Sequence, residues 1–330
     1  MTRARQRGLA VVAALGGAVL LAYAVRRAGV DEIVESMRRL GWGVLAILAL
    51  AGARLFLRAC AWRLCTPAHA RLPIGRAFSA FVAGDAVGNL TPLGMAASEP
   101  TKAFLVRHRL ATNESIASLA IDNLVYAASI ATMMVVGVVV ALATVPLPVE
   151  GRDVLIAALV ALVIGAVVMM RLLRGTWSPE GGQRPAWREA LSRVRQSVMA
   201  FWAASPARVV QAFAFDMAFH VLAVYEIFLT LGWLFGQRPT VAQALVFEVV
   251  NRAIIVAFKF IPFRVGVDEA LNGALASVMG LPPAAGVTLA LVRKARNLAW
   301  TGVGLLLIAG APARVAPGPD PRGSAPAHRT

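Results

Sequence analysis

The sequence predicts an all-α protein, a polytopic transmembrane helix bundle with two broken or re-entrant helical segments in a pseudo-repeat. Its composition is 58% hydrophobic and only 15% charged, with a mean hydropathy of +0.70, which is more apolar surface than one soluble core could bury. Apolar runs of about 20 residues, the length that crosses hydrocarbon, recur along the chain. Two further apolar stretches are interrupted by Gly, Pro and charged residues. A lipid bilayer is therefore the expected solvent.

The apolar runs are predicted to form a single transmembrane domain over residues 1–310. Its first half covers about 8–145 and its second half about 153–310, while residues 311–330, rich in Pro, Gly and Ala, are predicted to form a disordered tail. Seven firm membrane spans are expected, at residues 8–25, 41–60, 115–145, 153–171, 208–235, 240–261 and 284–310.

The strong positive charge is explained mostly by membrane topology. The chain has 33 Lys and Arg against 17 Asp and Glu, a formal net charge of +16. The arginines lie at the ends of apolar runs and do not form a basic face with interleaved aromatics, so no nucleic-acid partner is expected. Residues 171–208 carry seven arginines, and the positive-inside rule makes this loop cytoplasmic. Counting spans backward from it places Arg26, Arg27, Arg38 and Arg39 outside, against the rule.

The cytoplasmic loop at 172–207 is itself predicted to contain an amphipathic helix. Apolar residues recur there at helical spacing, with arginines between them. Such a helix either lies at the membrane interface or packs on the bundle as a connector. The apolar positions are Trp187, Leu191, Val194, Val198 and Phe201.

The two broken segments share one order of residue types. Residues 84–102 and 259–269 each contain Pro, then Gly, then Glu, before a short apolar helix and a full span. Pro and Gly interrupt helical hydrogen bonding, and the freed backbone groups must line a wet cavity or pack inside protein. Interrupted spans at matching places in two halves indicate a transporter's binding site. Ser98 is expected to cap the helix that follows, with Pro100 in its first turn, and that helix N-terminus would suit a phosphate.

Charged residues cluster at these breaks and on the spans after them. Asp122 lies 30 residues after Pro92, and Arg293 lies 31 residues after Pro262. These two charges could therefore face each other across a pseudo-symmetric centre, the acid from one half and the base from the other. Each is costly inside a membrane, which marks both as candidates for function.

Two closer pairs have a simpler structural interpretation. Glu99 with Lys102, and Glu248 with Arg252, are one helical turn apart and could neutralise each other. Pairing alone does not explain why the charges gather at the two breaks.

His220 and Glu226 form a further pair on one predicted span. The histidine is either a hydrogen-bond partner between helices or part of a proton relay. The sequence leaves both interpretations open.

Sequence motifs for nucleotide, zinc and hydrolase chemistry are absent. There is no Gly-x-x-x-x-Gly-Lys-Ser/Thr loop, no His-Glu-x-x-His helix and no Gly-x-Ser-x-Gly elbow. We expect no cofactor, no metal and no catalytic residue, and ATP-driven transport within this chain is not expected.

Several motifs resemble those of a known family. They are Asn89-Leu90-Thr91-Pro92-Leu93-Gly94, Glu99-Pro100 with Lys102-Ala103, Pro262 to Glu269 ahead of Arg293, and an Arg58 to Trp62-Arg63 cluster ending the second span. With them, most of residues 8–310 resembles the lysylphosphatidylglycerol synthase transmembrane-region family, also called flippase-like. The resemblance implies a multi-pass protein of the bacterial inner membrane, in a group linked to moving lipids between leaflets.

The resemblance has limits that bear on the substrate. Some members are fused to an aminoacyl-lipid synthase, and because this chain ends soon after its last span, synthase activity is not expected. Ala97-Ser98 stands where the family often has Gly-Gly, and Phe263-Arg264 follows Pro262 where Gly is common. At these positions the chain therefore has side chains, including one extra cation, where glycine would let the backbone approach a ligand more closely.

The leading hypothesis is a lipid flippase or translocase for an anionic or glycosylated lipid, held by its headgroup in a polar cavity between the broken segments. Lys102, Arg264 and Arg293 would contact phosphate, and Asp122 would balance buried cations. The other polar groups would be bound by Asn89, Thr91, Glu99, Asp268 and Glu269. The full set of expected substrate-binding residues is Asn89, Thr91, Pro92, Gly94, Glu99, Lys102, Asp122, Pro262, Arg264, Gly266, Asp268, Glu269, Arg293 and Arg296.

Two other functions stay open at this point. One is a membrane-embedded transferase acting on a lipid-linked substrate, with Glu99 or Glu269 as general base. The other is a non-catalytic protein that recruits a separate lipid synthase. In each case membrane lipids are the expected partners.

Overall fold

The computed structural model describes residues 30–91, 94–145, 149–174, 186–236, 239–258 and 266–310. Over these residues the protein is all-helical, without a strand, which confirms the predicted fold class. The α-helices are α1 (Val30–Leu40), α2 (Gly43–Cys65), α3 (Ile74–Leu90), α4 (Met95–Val106), α5 (Thr112–Thr144), α6 (Val149–Arg174), α7 (Ala186–Ala204), α8 (Pro206–Phe235), α9 (Val241–Ala257), α10 (Val267–Val278) and α11 (Pro283–Gly310).

Three of the described helices, α2, α5 and α8, are long and apolar enough to cross a bilayer. They coincide with the spans predicted at 41–60, 115–145 and 208–235. The spans predicted at 153–171, 240–261 and 284–310 are helical as α6, α9 and α11, but α9 has only 17 residues and α11 carries Arg293, Lys294 and Arg296. The span predicted at 8–25 and the tail at 311–330 lie outside the described residues.

The helix α3 and the helix α4 form a hairpin that starts and finishes at one end of the bundle, which we term the first end. Leu72, just before α3, packs in one cluster with Val106 and Leu110, at the end of α4. His69, after α2, pairs with Glu114 in the first turn of α5 at 2.9 Å. The chain therefore leaves α2, enters the bundle, turns back and begins α5 where α2 ended.

The helices α9 and α10 form a second hairpin at the opposite end, the second end. Gln243 Nε2, in the first turn of α9, donates to the Met279 carbonyl after α10 at 3.2 Å. Ala244 and Met279 share an apolar cluster with Leu231 near the end of α8 and Ala285 near the start of α11. The α2 and α8 helices run antiparallel, because Arg208 at the start of α8 donates to the Thr66 carbonyl after α2 at 2.7 Å.

The two hairpins repeat the same order of elements from opposite ends. A 17-residue helix, a 12-residue helix and a long helix follow one another as α3, α4 and α5, and again as α9, α10 and α11. The long helix of each set packs on the first helix of the other set: Gly137 of α5 meets Val249, and Gly304 of α11 meets Val82 and Ala86. This arrangement is expected for two repeats of opposite orientation.

The helix α7 in the central loop packs on the bundle. Its Val198 is buried in a cluster with Ile121 of α5 and Ala212 of α8, while Arg193 is exposed. This is the connector arrangement among the two that the sequence left open. The side chains of the predicted apolar residues Trp187 and Leu191 lie outside the described ones.

The expected cap at Ser98 is wrong. The helix α4 starts at Met95, after Gly94, so Ser98 lies inside it and is buried, and Pro100 falls in its second turn. Gly94 has φ of 47°, a left-handed conformation that glycine adopts without strain and that lets the chain turn early. The N-terminus of α4 consequently lies at Gly94, next to the break.

The hairpin geometry predicts that two loops are reached from opposite sides of the membrane. In a variant with Cys60 and Cys65 replaced by serine, we expect Ala68→Cys and Ala284→Cys, both at exposed positions of opposite ends, to react with an impermeant maleimide from opposite sides. Labelling of right-side-out and inverted vesicles measures this. Reaction of both cysteines from the same side would contradict the opposed hairpins.

Close helix packing predicts a strong effect of one methyl group. A Cβ at Gly286 of α11 would lie 1.8 Å from the Asn272 carbonyl oxygen of α10, whereas a Cβ at Gly302 meets nothing within 4 Å. Gly286→Ala should lower the free energy of unfolding in detergent by about 1–3 kcal/mol, because backbone must move apart. Gly302→Ala is the matched control and should unfold no more easily than the wild type; equal destabilisation of both variants would refute the packing argument.

Candidate functional site

Charged side chains fill the interior of the bundle in nearly equal numbers of each sign. Apart from Glu114, Arg195 and Arg208, the described helices α2 to α11 contain seven cations and eight acids that are buried or half-buried, although the whole chain carries +16. Other described arginines, such as Arg63, Arg76 and Arg193, are exposed. The interior cations are Arg54, Arg58, Lys102, Arg252, Arg293, Lys294 and Arg296; the interior acids are Asp85, Glu99, Asp122, Asp216, Glu226, Glu248, Asp268 and Glu269.

One cluster, which we call the acidic triad, consists of Asp122, Arg58 and Asp216. Arg58 Nη2 of α2 donates to Asp122 Oδ2 of α5 at 2.8 Å, and its Nη1 donates to Asp216 Oδ1 of α8. The Arg58 guanidinium also lies 3.9 Å from the centroid of the Tyr126 ring. Two carboxylates thus share a single cation, and all three helices meet at it.

A second cluster begins one turn earlier on α2. Arg54 Nη1 donates to Glu226 Oε2 of α8 at 2.9 Å, and Arg296 of α11 pairs with Glu226 Oε1. Here two cations share one carboxylate. Arg54 Nε is buried and makes no hydrogen bond.

The same cluster continues onto the second hairpin. Arg252 Nε donates to Glu248 Oε1 at 2.7 Å within α9, and Arg293 Nη2 lies 3.7 Å from Glu248 Oε2. Arg293 Nη1 reaches Asn272 Oδ1 of α10 at 3.3 Å, but its buried Nη2 makes no hydrogen bond. We call the whole set the arginine cluster: Arg54, Arg252, Arg293 and Arg296 with Glu226 and Glu248.

Two simpler pairs lie on the short helices of the hairpins. Lys102 Nζ donates to Glu99 Oε1 at 2.9 Å on α4, and it sits 4.1 Å from the centroid of the Phe81 ring. Lys294 pairs with Glu269 of α10, whose other oxygen accepts from the Gly266 N–H at 2.9 Å. The pairings of Glu99 with Lys102 and of Glu248 with Arg252 confirm the structural interpretation of their spacing.

A groove of about 490 Å³ lies between α4 and α5. Glu99 lines it, and Glu99 Oε2 is buried without a hydrogen-bond partner. Arg107 and Thr112 line it toward the first end, and most of the remaining lining is apolar. The lining residues are Glu99, Pro100, Ala103, Phe104, Arg107, Thr112, Ile116, Leu119, Ala120 and Asn123.

The predicted partnership of Asp122 with Arg293 is wrong. Asp122 binds Arg58, whereas Arg293 contacts Glu248 and Asn272. Each is the eleventh residue of its helix, α5 or α11, but the two helices start from opposite ends of the bundle. Residues at the same position of these two helices therefore lie at different depths and meet different partners.

The polar residues at the first break bind mostly within their own hairpin. Asn89 Nδ2 donates to Asp85 at 3.1 Å and approaches Thr301 Oγ1 of α11 at 3.5 Å, and Thr91 Oγ1 donates to the Val87 carbonyl. Gly94 supplies the turn before α4. The predicted site residues Pro92, Pro262 and Arg264 lie outside the described residues.

The site residues predicted around the second break lie in two places, the arginine cluster and the start of α10. Arg293 and Arg296 belong to the arginine cluster, and Asp268 is buried beside Arg293. Glu269 and Gly266 form the start of α10. Two residues predicted to contact phosphate therefore differ. Lys102 is paired with Glu99, whereas Arg293 has a buried Nη2 that makes no hydrogen bond.

Sequence reasoning did not assign most of the two clusters to the site. A usable signal existed for two of the missed residues, since Arg54 and Arg58 stand one helical turn apart inside an apolar span, where a charge is costly. The histidine has a helix-to-helix contact, with His220 Nε2 and Ser129 Oγ at 3.1 Å. The missed residues are Arg54, Arg58, Asp216, Glu226, Glu248 and Arg252.

The sequence matches the model of one known protein family. Residues 8–304 match the family described as "Lysylphosphatidylglycerol synthase TM region". The chain belongs to this family. Comparisons with curated proteins and with solved structures give no match. Membership, together with the three long apolar helices, identifies a multi-pass membrane protein and fits a lipid-related role.

The acidic triad predicts a large loss of stability when its cation is removed. Arg58→Ala should lower the free energy of unfolding in detergent by about 3–5 kcal/mol, because two buried carboxylates lose their partner. Arg39→Ala, which breaks an exposed pair with Glu35, should cost at most about 1 kcal/mol. Unfolding by detergent titration measures both, and similar losses in the two variants would contradict the role of Arg58.

Proposed function

We propose that this protein moves a lipid with an anionic or glycosylated headgroup between the leaflets of the bacterial inner membrane. The observation that carries the proposal is the arginine cluster, where four guanidinium groups surround two carboxylates inside the bundle and two guanidinium nitrogens are left without hydrogen bonds. Family membership supports a lipid as the substrate.

The arginine cluster has the chemistry of an anion site. Its six residues carry four positive and two negative charges, and the nearby acids Asp85 and Asp268 supply two more negative charges. Arg54 Nε and Arg293 Nη2 are nevertheless buried without a hydrogen bond. A phosphate oxygen would satisfy these donors, and guanidinium groups bind phosphate with fixed geometry.

The opposed hairpins give such a site access from two sides. The two hairpins have their bases at opposite ends of the bundle. Interrupted helices around a central site, related by opposite orientation, are the arrangement through which transporters alternate access. A headgroup in this interior could therefore be reached from either leaflet as one hairpin or the other moves.

The groove between α4 and α5 would accept the lipid from the side. Its volume of about 490 Å³ falls in the range of small-molecule pockets, about 300–1,000 Å³. Apolar residues such as Phe104, Ile116 and Leu119 would face acyl chain, and Glu99 and Asn123 would meet polar headgroup atoms. Glycosylated headgroups in particular need such hydrogen-bonding groups.

The first end is proposed to face the cytoplasm. It carries Arg63, Arg71, Arg76, Arg107, Arg109 and Arg208. Partial burial and the neighbouring arginines at 76, 109 and 107 lower the pKa of His108, as expected in a strongly positive surface. At the second end, Arg39 of α1 pairs with Glu35 at 3.0 Å, and the arginines at 38 and 39 remain against the positive-inside rule.

The proposal is for transport without chemical change in the lipid. One observation favours the transferase as a second candidate, since Glu99 Oε2 lines the groove without a partner and could accept a proton. Mass spectrometry of lipids exposed to purified protein separates the two: unaltered lipids support transport, and a covalently changed lipid supports the transferase.

Reconstitution into vesicles tests transport directly. We expect fluorescent anionic phospholipids or glycolipids to cross faster with the protein than in protein-free vesicles. Arg293→Gln and Arg54→Gln should slow anionic lipids at least about tenfold, because a charge-assisted hydrogen bond is lost. Arg109→Gln, on the exposed first end, is the control and should match the wild type. Movement of every candidate lipid at the protein-free rate would overturn the proposal.

A further inference from the structure

The acidic triad carries a charge that its own members do not balance. Asp122 and Asp216 share the single cation Arg58, and all three are almost completely buried. Asp216 Oδ1 is bound, but Asp216 Oδ2 is buried and makes no hydrogen bond. A buried carboxylate oxygen without a donor is an unfavourable arrangement unless the oxygen carries a hydrogen itself.

The groups facing the triad offer it little further positive charge. From α4, Lys102 acts on Asp122, but Lys102 is paired with Glu99. From α2, Cys65 faces both acids, and from α5 the Tyr126 ring stacks on Arg58.

The other residues around Asp216 are apolar or already have a hydrogen-bond partner. One turn along α8, His220 is bound to Ser129 and faces Arg252 and Glu248 of α9. Among the described residues, α7 contributes Val194, Val198 and Phe201 to the neighbouring apolar cluster. Within the part of the chain that the structure describes, Arg58 is the one group that donates a hydrogen bond to Asp216.

We propose that the acidic triad binds a proton at Asp216, and that an anion in the arginine cluster favours this proton. The proton comes from water and forms an O–H bond on the free carboxylate oxygen; no other bond changes. The second half of this inference rests on the proposed function, because it needs the arginine cluster to be an anion site. The first half does not.

A proton fits this place better than a metal ion. No group of three or more His, Cys, Asp and Glu that could hold a metal occurs within the described ranges. Metal ions that bind oxygen need several such ligands. A proton needs only the one free oxygen of Asp216, and it removes the charge excess of the triad.

The link to the anion follows from charge and position. Arg54 and Arg58 are one turn apart on α2, so the triad lies beside the arginine cluster. An anion bound in the arginine cluster brings further negative charge close to Asp122 and Asp216. A like charge nearby disfavours an ionised carboxylate, so the anion favours proton uptake by Asp216. Such coupling is reciprocal, so the proton must also favour the anion.

Infrared spectroscopy of the purified full chain tests the proton directly. In a titration from about pH 4 to about pH 8, we expect the wild type to show the carbonyl stretch of a protonated carboxylic acid, which weakens as the pH rises because deprotonation removes the O–H group. Asp216→Asn should remove it, and Asp153→Asn, an exposed acid of α6, should not. A wild type without such a band, or a band that survives Asp216→Asn, would overturn the proposal.

Sulfate, whose charge is constant over this range, serves as the anion probe. Titration of the band in sodium sulfate should have a midpoint at higher pH than in sodium chloride, with about tenfold tighter sulfate binding in acid than in base, within the usual range of coupling between sites. An unchanged midpoint would refute the coupling. Failure of lipid movement with an intact band would instead refute only the proposed function.

A second measurement covers the case in which Asp216→Asn does not fold. At a pH midway between the two midpoints, sulfate added to wild-type protein in weak buffer should cause uptake of about half a proton per chain, the amount that tenfold coupling gives, read with a pH indicator. Arg293→Gln should abolish this uptake while the carboxylic acid band remains. No uptake by a wild-type protein that binds sulfate would overturn the coupling.

Discussion

The bundle depends on pairing buried charges in surroundings that contain little water. A single unpaired ion in such a place costs several kcal/mol or changes its protonation. The helix α2 meets this constraint for much of the protein, because Arg54 and Arg58 pair with acids on α5 and α8 that are 64 to 172 residues away in the sequence. Paired charges of this kind often add little net stability, but they allow few alternative arrangements of the helices. The antiparallel packing of α2 on α8 is one such arrangement.

The hairpins satisfy the same constraint for the backbone. A helix that ends in mid-membrane leaves polar backbone groups that only protein or water can satisfy. Glycines allow the long helices to approach the hairpins closely, as at Gly304 against the α3 backbone and Gly286 against the α10 backbone. The short helices α4 and α10 then carry their charged residues to the interior, where the lysines of α4 and α11 neutralise Glu99 and Glu269.

Local spacing in the sequence predicted the local part of this network. The all-α class follows from hydropathy, and the Glu99–Lys102 and Glu248–Arg252 pairs follow from helical periodicity. The long-range pairs could not be predicted in the same way. Arg58 and Asp216 are 158 residues apart, and their meeting depends on α2 and α8 being antiparallel. The expected contact of Asp122 with Arg293 failed because it assumed that equivalent residues of the two halves lie at equal depth.

The arginine cluster links the packing of four helices to the proposed lipid movement. Under that proposal, a headgroup would bind among the ion pairs that join α2, α8, α9 and α11. A ligand shifts a conformational equilibrium only by its difference in affinity for the two states. Such a headgroup would therefore separate these helices only if it bound the separated state more tightly, and the ion pairs that hold the helices together would also contribute to the choice of lipid.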